Sequence, residues 1–186
     1  MKRLIEGAAA VVLLAGVAGS ARASVTVIGG GLAEACSKAA IAGASDLRTE
    51  ETCTLALEQE LLPPRDRAGT YVNRGIMKLR RGNWQAALAD FDVGAKYKPD
   101  LGEIYVNRGA ALIGDHKYAE GMADLNKGLE LGVEEPEKAY YNRAIAKEAL
   151  DDVKGAYFDY LKALELSPGW DAPKQQLTRF HVARRE

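Results

Sequence analysis

The stretch Tyr71-Val72-Asn73-Arg74-Gly75 returns thirty-four residues later as Tyr105-Val106-Asn107-Arg108-Gly109, and thirty-five after that as Tyr140-Tyr141-Asn142-Arg143-Ala144. Self-similarity at such a period marks a repeat architecture, in which one supersecondary unit stacks on copies of itself. Each start is followed by a second matching block: Ala87, Phe91, Gly94 and Pro99, then Gly121, Leu125 and Gly128, then Ala156, Tyr160, Ala163 and Pro168. Polar turns such as Arg81-Gly82-Asn83 and Asp115-His116-Lys117 separate the blocks, and Trp84, Tyr118 and Val153 open the second half of each unit with an apolar residue. Apolar residues recur at three- and four-residue intervals on both sides of the turns, and no segment sustains the two-residue alternation of a sheet. Each unit is thus a pair of helices, A and B, and the fold class is all-α.

The residue types inside the pattern have physical reasons. Gly75, Gly109 and Ala144 are small at one place on helix A, where it must approach helix B closely. A glycine inside a helix costs about 1 kcal/mol, so packing has to offset it. A second regularity concerns charge: Arg74, Arg108 and Arg143 each precede an aspartate by sixteen residues, Asp90, Asp124 and Asp159. With Arg on helix A and Asp on helix B, each pair is placed to bridge the helices of one unit or of adjacent units, as a structural staple and not a site.

In its period, small residues and closing prolines the pattern resembles the tetratricopeptide repeat over Ala68 to Trp170. With Ala68, Gly102 and Glu137 as position one, the small residue of helix A falls at position eight and those of helix B at twenty and twenty-seven. The resemblance divides the stretch into repeats 68–101, 102–136 and 137–170 and implies a right-handed superhelix. Val133 stands where the second repeat should have its proline, and one residue is inserted near Glu134 to Pro136, so distortion is expected at that junction. Ahead, residues 24–67 read as an extended arm and a degenerate helical hairpin, with Thr49, Cys53 and Ala56 in helix B places and Pro63-Pro64 closing the unit. Behind, residues 171–186 read as a capping helix with Asp171 as its cap and Pro173 in its first turn, and Leu177, Phe180 and Val182 cover the third repeat.

In this family helix A of each repeat lines a concave groove. Carried over position by position, the resemblance implies a partner-binding surface of Val72, Asn73, Ile76, Leu79 and Arg80, then Val106, Asn107, Ala110 and Ile113, then Lys138, Tyr141, Asn142, Ile145 and Glu148. Asn73, Asn107 and Asn142 form a ladder with two roles open to it. A side-chain amide can donate to and accept from an extended peptide backbone, or it can stabilise the contact between neighbouring repeats. Some members clamp a C-terminal carboxylate with Lys and Asn; Asn107 and Lys138 match that arrangement, whereas Val72, Ile76 and Asn142 do not. The implied groove is mostly apolar, which suits an apolar peptide or helix better than an acidic tail.

Residues 1–23 have the order of a secretory signal peptide: Lys2-Arg3, an almost uncharged stretch from Gly7 to Ser20, and Ala21-Arg22-Ala23 before the cut. The apolar part is shorter than the roughly 20 residues of a membrane-spanning helix, so export to the periplasm or the exterior is expected, without permanent membrane insertion. Cleavage after Ala23 leaves 22 basic against 25 acidic residues, a formal charge of −3, and so no bulk attraction for nucleic acid. Cys36 and Cys53 are then expected to form one structural disulfide, since exported chains keep such bonds; two buried thiols are the other reading.

No catalytic residue, cofactor or metal site is expected. The run Val25-Thr26-Val27-Ile28-Gly29-Gly30-Gly31 resembles the start of a dinucleotide-binding unit, but the sixth place of the fingerprint is Glu34 and only helices follow, so it reads as an arm. Only His116, in an inter-helix turn, and His181, near the C-terminus, are available as imidazoles, so no metal cluster or His-based triad is visible. The expected function is a non-enzymatic scaffold that binds a protein or peptide partner in the groove; the alternative is a structural module that assembles with itself as a homo-oligomer.

Overall fold

The computed structural model describes residues 3–7, 24–27 and 30–184. From Leu32 the chain is a run of helices: α1 (Leu32–Ile41), α2 (Leu47–Gln59), α3 (Pro64–Arg80), α4 (Trp84–Tyr97), α5 (Gly102–Gly114), α6 (Tyr118–Leu131), α7 (Pro136–Ala149), α8 (Val153–Leu166) and α9 (Asp171–Leu177). The pairs α3 and α4, α5 and α6, and α7 and α8 are the A and B helices of the three repeats, and α1 and α2 form the degenerate unit. Helix α3 starts one turn ahead of Ala68 because Pro64, with no N–H to leave unsatisfied, is well suited to a first helical position. The turns from A to B share a device. Gly82, His116 and Asp151, all at position fifteen of their repeats, take positive φ of 73°, 62° and 60°. Glycine adopts that conformation freely and Asp and His tolerate it better than most side chains, so His116 is a turn residue.

Helices A and B meet at the small residues. A Cβ added to Gly75 would stand 2.5 Å from Phe91 Cε1. In the second repeat the contact is backbone on backbone: a Cβ on Gly109 would stand 2.8 Å from the Gly121 carbonyl oxygen, and one on Gly121 2.9 Å from that of Gly109. Gly109→Ala is therefore expected to lower stability by about 2 kcal/mol in urea titrations, although alanine is the better helix former, because a neighbouring backbone cannot rotate aside. A neutral result would show that α5 and α6 can separate at little cost.

The aspartate staples form in all three repeats. Nε and Nη2 of Arg74, Arg108 and Arg143 donate side-on to both oxygens of Asp90, Asp124 and Asp159 at 2.6–3.0 Å. The remaining Nη1 reaches back to the B helix of the preceding unit, to Thr54, Asp92 and Asn126 in turn. Each guanidinium also lies 5.0–5.4 Å from the ring centroid of the tyrosine that opens its repeat motif, Tyr71, Tyr105 or Tyr140. One arginine thus joins A to B within a unit and that unit to the one before it.

At the junction after the second repeat, Gly132 turns with φ of 84° and the Glu103 carboxylate accepts the Glu134 amide at 3.2 Å, so the inserted residue is absorbed without the proline. In the first unit Cys36 and Cys53 are joined, and the bond is buried beside Ala40 and Met77, which ties α1 and α2 to α3. The Glu60 carboxylate accepts the amides of Leu32 and Ala33 at 2.6 and 3.0 Å and so closes the N-terminus of α1. The glycine run therefore leads into a helix end already held by an anion, where a phosphate would otherwise sit.

The C-terminal end differs from the expected helix. Helix α9 stops at Leu177; its N-cap is Trp170, and Asp171 is its first residue and not its cap. After a turn at Thr178 and Arg179 the chain becomes a strand, β2 (Phe180–Arg184), paired antiparallel with β1 (Arg3–Gly7), Leu4 opposite Ala183 and Glu6 opposite His181. Phe180 and Val182 are of types that favour a strand once a partner backbone is at hand. Capping of the third repeat still occurs through Trp170, Ala172, Leu177 and Phe180, packed on Tyr141, Tyr157 and Tyr160. β1 lies within the stretch read as an export signal; residues 8–23 of that stretch and its cleavage site lie outside the described residues, as does the side chain of Val182.

Candidate peptide-binding groove

The A helices pack directly on one another, α1 on α3, α3 on α5 and α5 on α7, which makes theirs the inner layer of the stack. Across that layer runs the arm, residues 24–27, in neither helix nor strand. Two side chains hold its backbone. The Val25 N–H donates to Asn73 Oδ1 at 3.1 Å, and Asn73 Nδ2 donates to the Val25 carbonyl at 2.8 Å. Ser37 Oγ on α1 donates to the same carbonyl at 3.0 Å and accepts the Val27 N–H at 3.2 Å. Val25 and Val27 are 4% and 5% exposed, whereas Thr26 between them faces out, the alternation of an extended strand on an apolar floor.

Gly69 makes the seat. A Cβ there would stand 2.8 Å from Val25 Cγ1 and 3.3 Å from Val27 Cγ2. Val25 belongs to the packed cluster of Val72, Ile76 and Leu79, and Val27 to that of Ala33 and Ala56. Beside the arm lies a cavity of about 400 Å³, lined by Ser24, Thr26, Ile41, Arg80, Glu134, Glu135 and Lys138. Arg80 donates to the Ala44 carbonyl at 2.9 Å, and burial pulls its guanidinium below the usual arginine range.

The residues that the family resemblance placed along the groove do not all face it. Asn73 holds the arm; Val72, Ile76 and Leu79 share its cluster; Arg80 and Lys138 line the cavity. Val106 and Ile113 turn towards helix B, where a Cβ on Gly128 or Gly121 would meet them at 2.7 and 2.8 Å, and Ala110 and Ile145 lie in interhelical packing. Tyr141 and Glu148 serve the C-terminal cap. The Tyr141 ring lies 4.8 Å from that of Trp170, and Glu148 accepts from the Tyr160 hydroxyl at 2.6 Å and from Arg179 at 2.7 Å. Burial, then the Glu148 charge, pushes the Tyr160 phenol far above its ordinary range. Asn107 donates to the Glu103 carbonyl at 2.8 Å within its own helix, and Asn142 is buried. Ser37 was not foreseen; a lone serine beside Cys36 in a degenerate unit carries no periodic signal. Among the described residues no group of three or more His, Cys, Asp or Glu side chains is placed to hold a metal ion, and no helix is long and apolar enough to cross a membrane.

Two-helix units stacked around an inner layer of A helices define a helical solenoid. Comparison with known proteins narrows the class. No family model matches the chain. RNA polymerase II-associated protein 3 of Xenopus tropicalis is 28% identical over 137 residues, 74% of this chain and 20% of that protein. Hsp70-Hsp90 organizing protein of Triticum aestivum is 30% identical over 106 residues, 56% of this chain and 18% of that protein. The chain thus spans about a fifth of the length of these relatives. Among solved structures, the first TPR domain of human RPAP3 superposes with a TM-score of 0.56 at 26% identity, over 60% of this chain and 87% of that one. The first TPR of Spaghetti (RPAP3), solved bound to the HSP90 peptide SRMEEVD, gives 0.57 at 25%, over 61% and 90%. MamA from Desulfovibrio magneticus RS-1 shares the fold over more of the chain, with a TM-score of 0.62 at 20% identity over 80% of this chain and 82% of that one. The chain has the tetratricopeptide-repeat fold.

Proposed function

We propose that the chain is a non-enzymatic scaffold that holds a partner polypeptide in its inner groove, in the periplasm or outside the cell. The carrying observation is that Asn73 and Ser37 already grip the N–H and C=O groups of an extended segment, a mode of recognition that reads backbone and tolerates sequence. The Spaghetti domain, of the same repeat fold and similar here at 25% identity, was solved with a peptide bound. An acidic tail like SRMEEVD is not the ligand inferred for this chain, because Val72 and Ile76 leave the carboxylate clamp incomplete and are instead buried in the apolar cluster that includes Val25. The buried Cys36–Cys53 bond suits a compartment in which disulfides persist and so supports the export reading.

A photoreactive residue at Arg80, on the cavity, is expected to give polypeptide adducts in cell-envelope extracts. The same residue at Phe158, on the exposed surface of α8, should give none. Equal adducts at both places, or none at Arg80, would sink the proposal. Adducts containing only a second copy of the chain would replace the partner with self-assembly.

A further inference from the structure

We propose that Ser24–Val27 is a resident ligand of the groove. A partner, an extended peptide with β-branched apolar residues at alternate positions, binds by displacing it. The inference deepens the scaffold reading and rests on it. The arm is held as a bound peptide is held. Three backbone groups, the Val25 N–H and C=O and the Val27 N–H, are all satisfied by two side chains, Asn73 and Ser37, and no helix or sheet ladder includes them. Its apolar contribution is two valines on the floor left open by Gly69. The gain from burying two valines is of the same order as the entropy lost in ordering four residues, so docking is finely balanced and reversible.

The connection to the body favours exchange. Of the glycines ahead of α1, Gly30 has no neighbour within 4 Å of a Cβ position, and Gly31 has φ of 101°. A short tether keeps the arm at an effective concentration in the millimolar range, which a free peptide must overcome. A longer peptide gains what the arm cannot, because the cavity beside Ser24 and Thr26 extends along Arg80 to Lys138 on α7. The resident segment thus states the partner's pattern, valine or a similar residue at i and i+2 with an outward polar residue between them. It also raises the affinity a partner needs.

The probe is a fluorescent peptide of the arm's own sequence, Ser-Val-Thr-Val-Ile-Gly-Gly, titrated against the full chain and against the full chain carrying Val25→Asp and Val27→Asp. The double variant, its own arm unable to dock, is expected to bind the probe at least tenfold more tightly than the natural chain, and adding Asn73→Ala should abolish that gain. Equal binding to both, or a gain that survives Asn73→Ala, overturns the proposal. Hydrogen exchange supplies a readout independent of any probe. Gly69→Ala should expose the Val25 and Val27 amides at least tenfold faster while α3 keeps its protection, since alanine suits the helix but collides with both valines. Unchanged protection of these amides overturns the proposal too. If the Arg80 photoprobe captures a partner equally in the natural chain and the double variant, the scaffold reading stands and the resident ligand falls.

Discussion

Arg108→Met is expected to cost about 3 kcal/mol in urea titrations, more than Arg74→Met or Arg143→Met at the matching positions. All three arginines hold an aspartate side-on, so the staple alone would predict equal losses. The difference lies four residues further along each A helix. There the first and third repeats carry Lys78 and Lys147, whose Nζ atoms reach Asp90 and Asp159 at 2.8 Å, and the second carries Leu112. Removing Arg74 or Arg143 leaves the carboxylate with a lysine. Removing Arg108 leaves Asp124, only 13% exposed, with no cation among the described residues. The hydrogen bonds that Arg108 donates to Asp124 are also the main reason its guanidinium is held far above its usual range. Methionine keeps most of the apolar stem, so the measured loss reports the charge and not the packing. Adding Asp124→Leu should recover most of it, because a buried pair replaced whole costs far less than one broken. Equal losses at the three sites would show that the lysines do not compensate.

The repeats were legible because one signal, the period, sets everything local within them: the small residues at the A–B crossing, the apolar opening of each B helix and the Arg–Asp spacing. The third limb of the second and third staples was legible too, in the short polar residue two places after the preceding repeat's aspartate, Asp92 after Asp90 and Asn126 after Asp124. What periodicity could not show were contacts made once. β2 depends on a partner strand at the opposite end of the chain, so Thr178 to Arg184 could only be read as more helix. The arm was recognisable as extended from its glycines, but its seat depends on Ser37 from a unit that has lost the repeat pattern. Tyr141 and Glu148 occupy groove positions by alignment, yet the cap after α8 takes up both, since the last repeat has no successor to cover it.

Replacing both Cys36 and Cys53 by alanine is expected to lower stability by about 3 kcal/mol, the typical value for a loop of this length, 17 residues apart in sequence. The loss should not be uniform. In a stack each unit is stabilised by its neighbours, and the α1–α2 pair has a described helical neighbour only in α3, with a first helix of ten residues. Without the bond, α1 depends on the Glu60 cap and on its contacts with α2 and α3. Hydrogen exchange should therefore rise first in α1 and α2, while α5 to α8 retain their protection. The arm should follow α1, because Ser37 is adjacent to Cys36 and its hydroxyl is one of the two groups holding residues 24–27. Faster exchange at Val25 and Val27 in step with α1 would place the groove's occupant under the control of a bond that never touches it. Loss of protection in every helix at once would mean that the stack unfolds as a single cooperative body, and that the disulfide supports all of it equally.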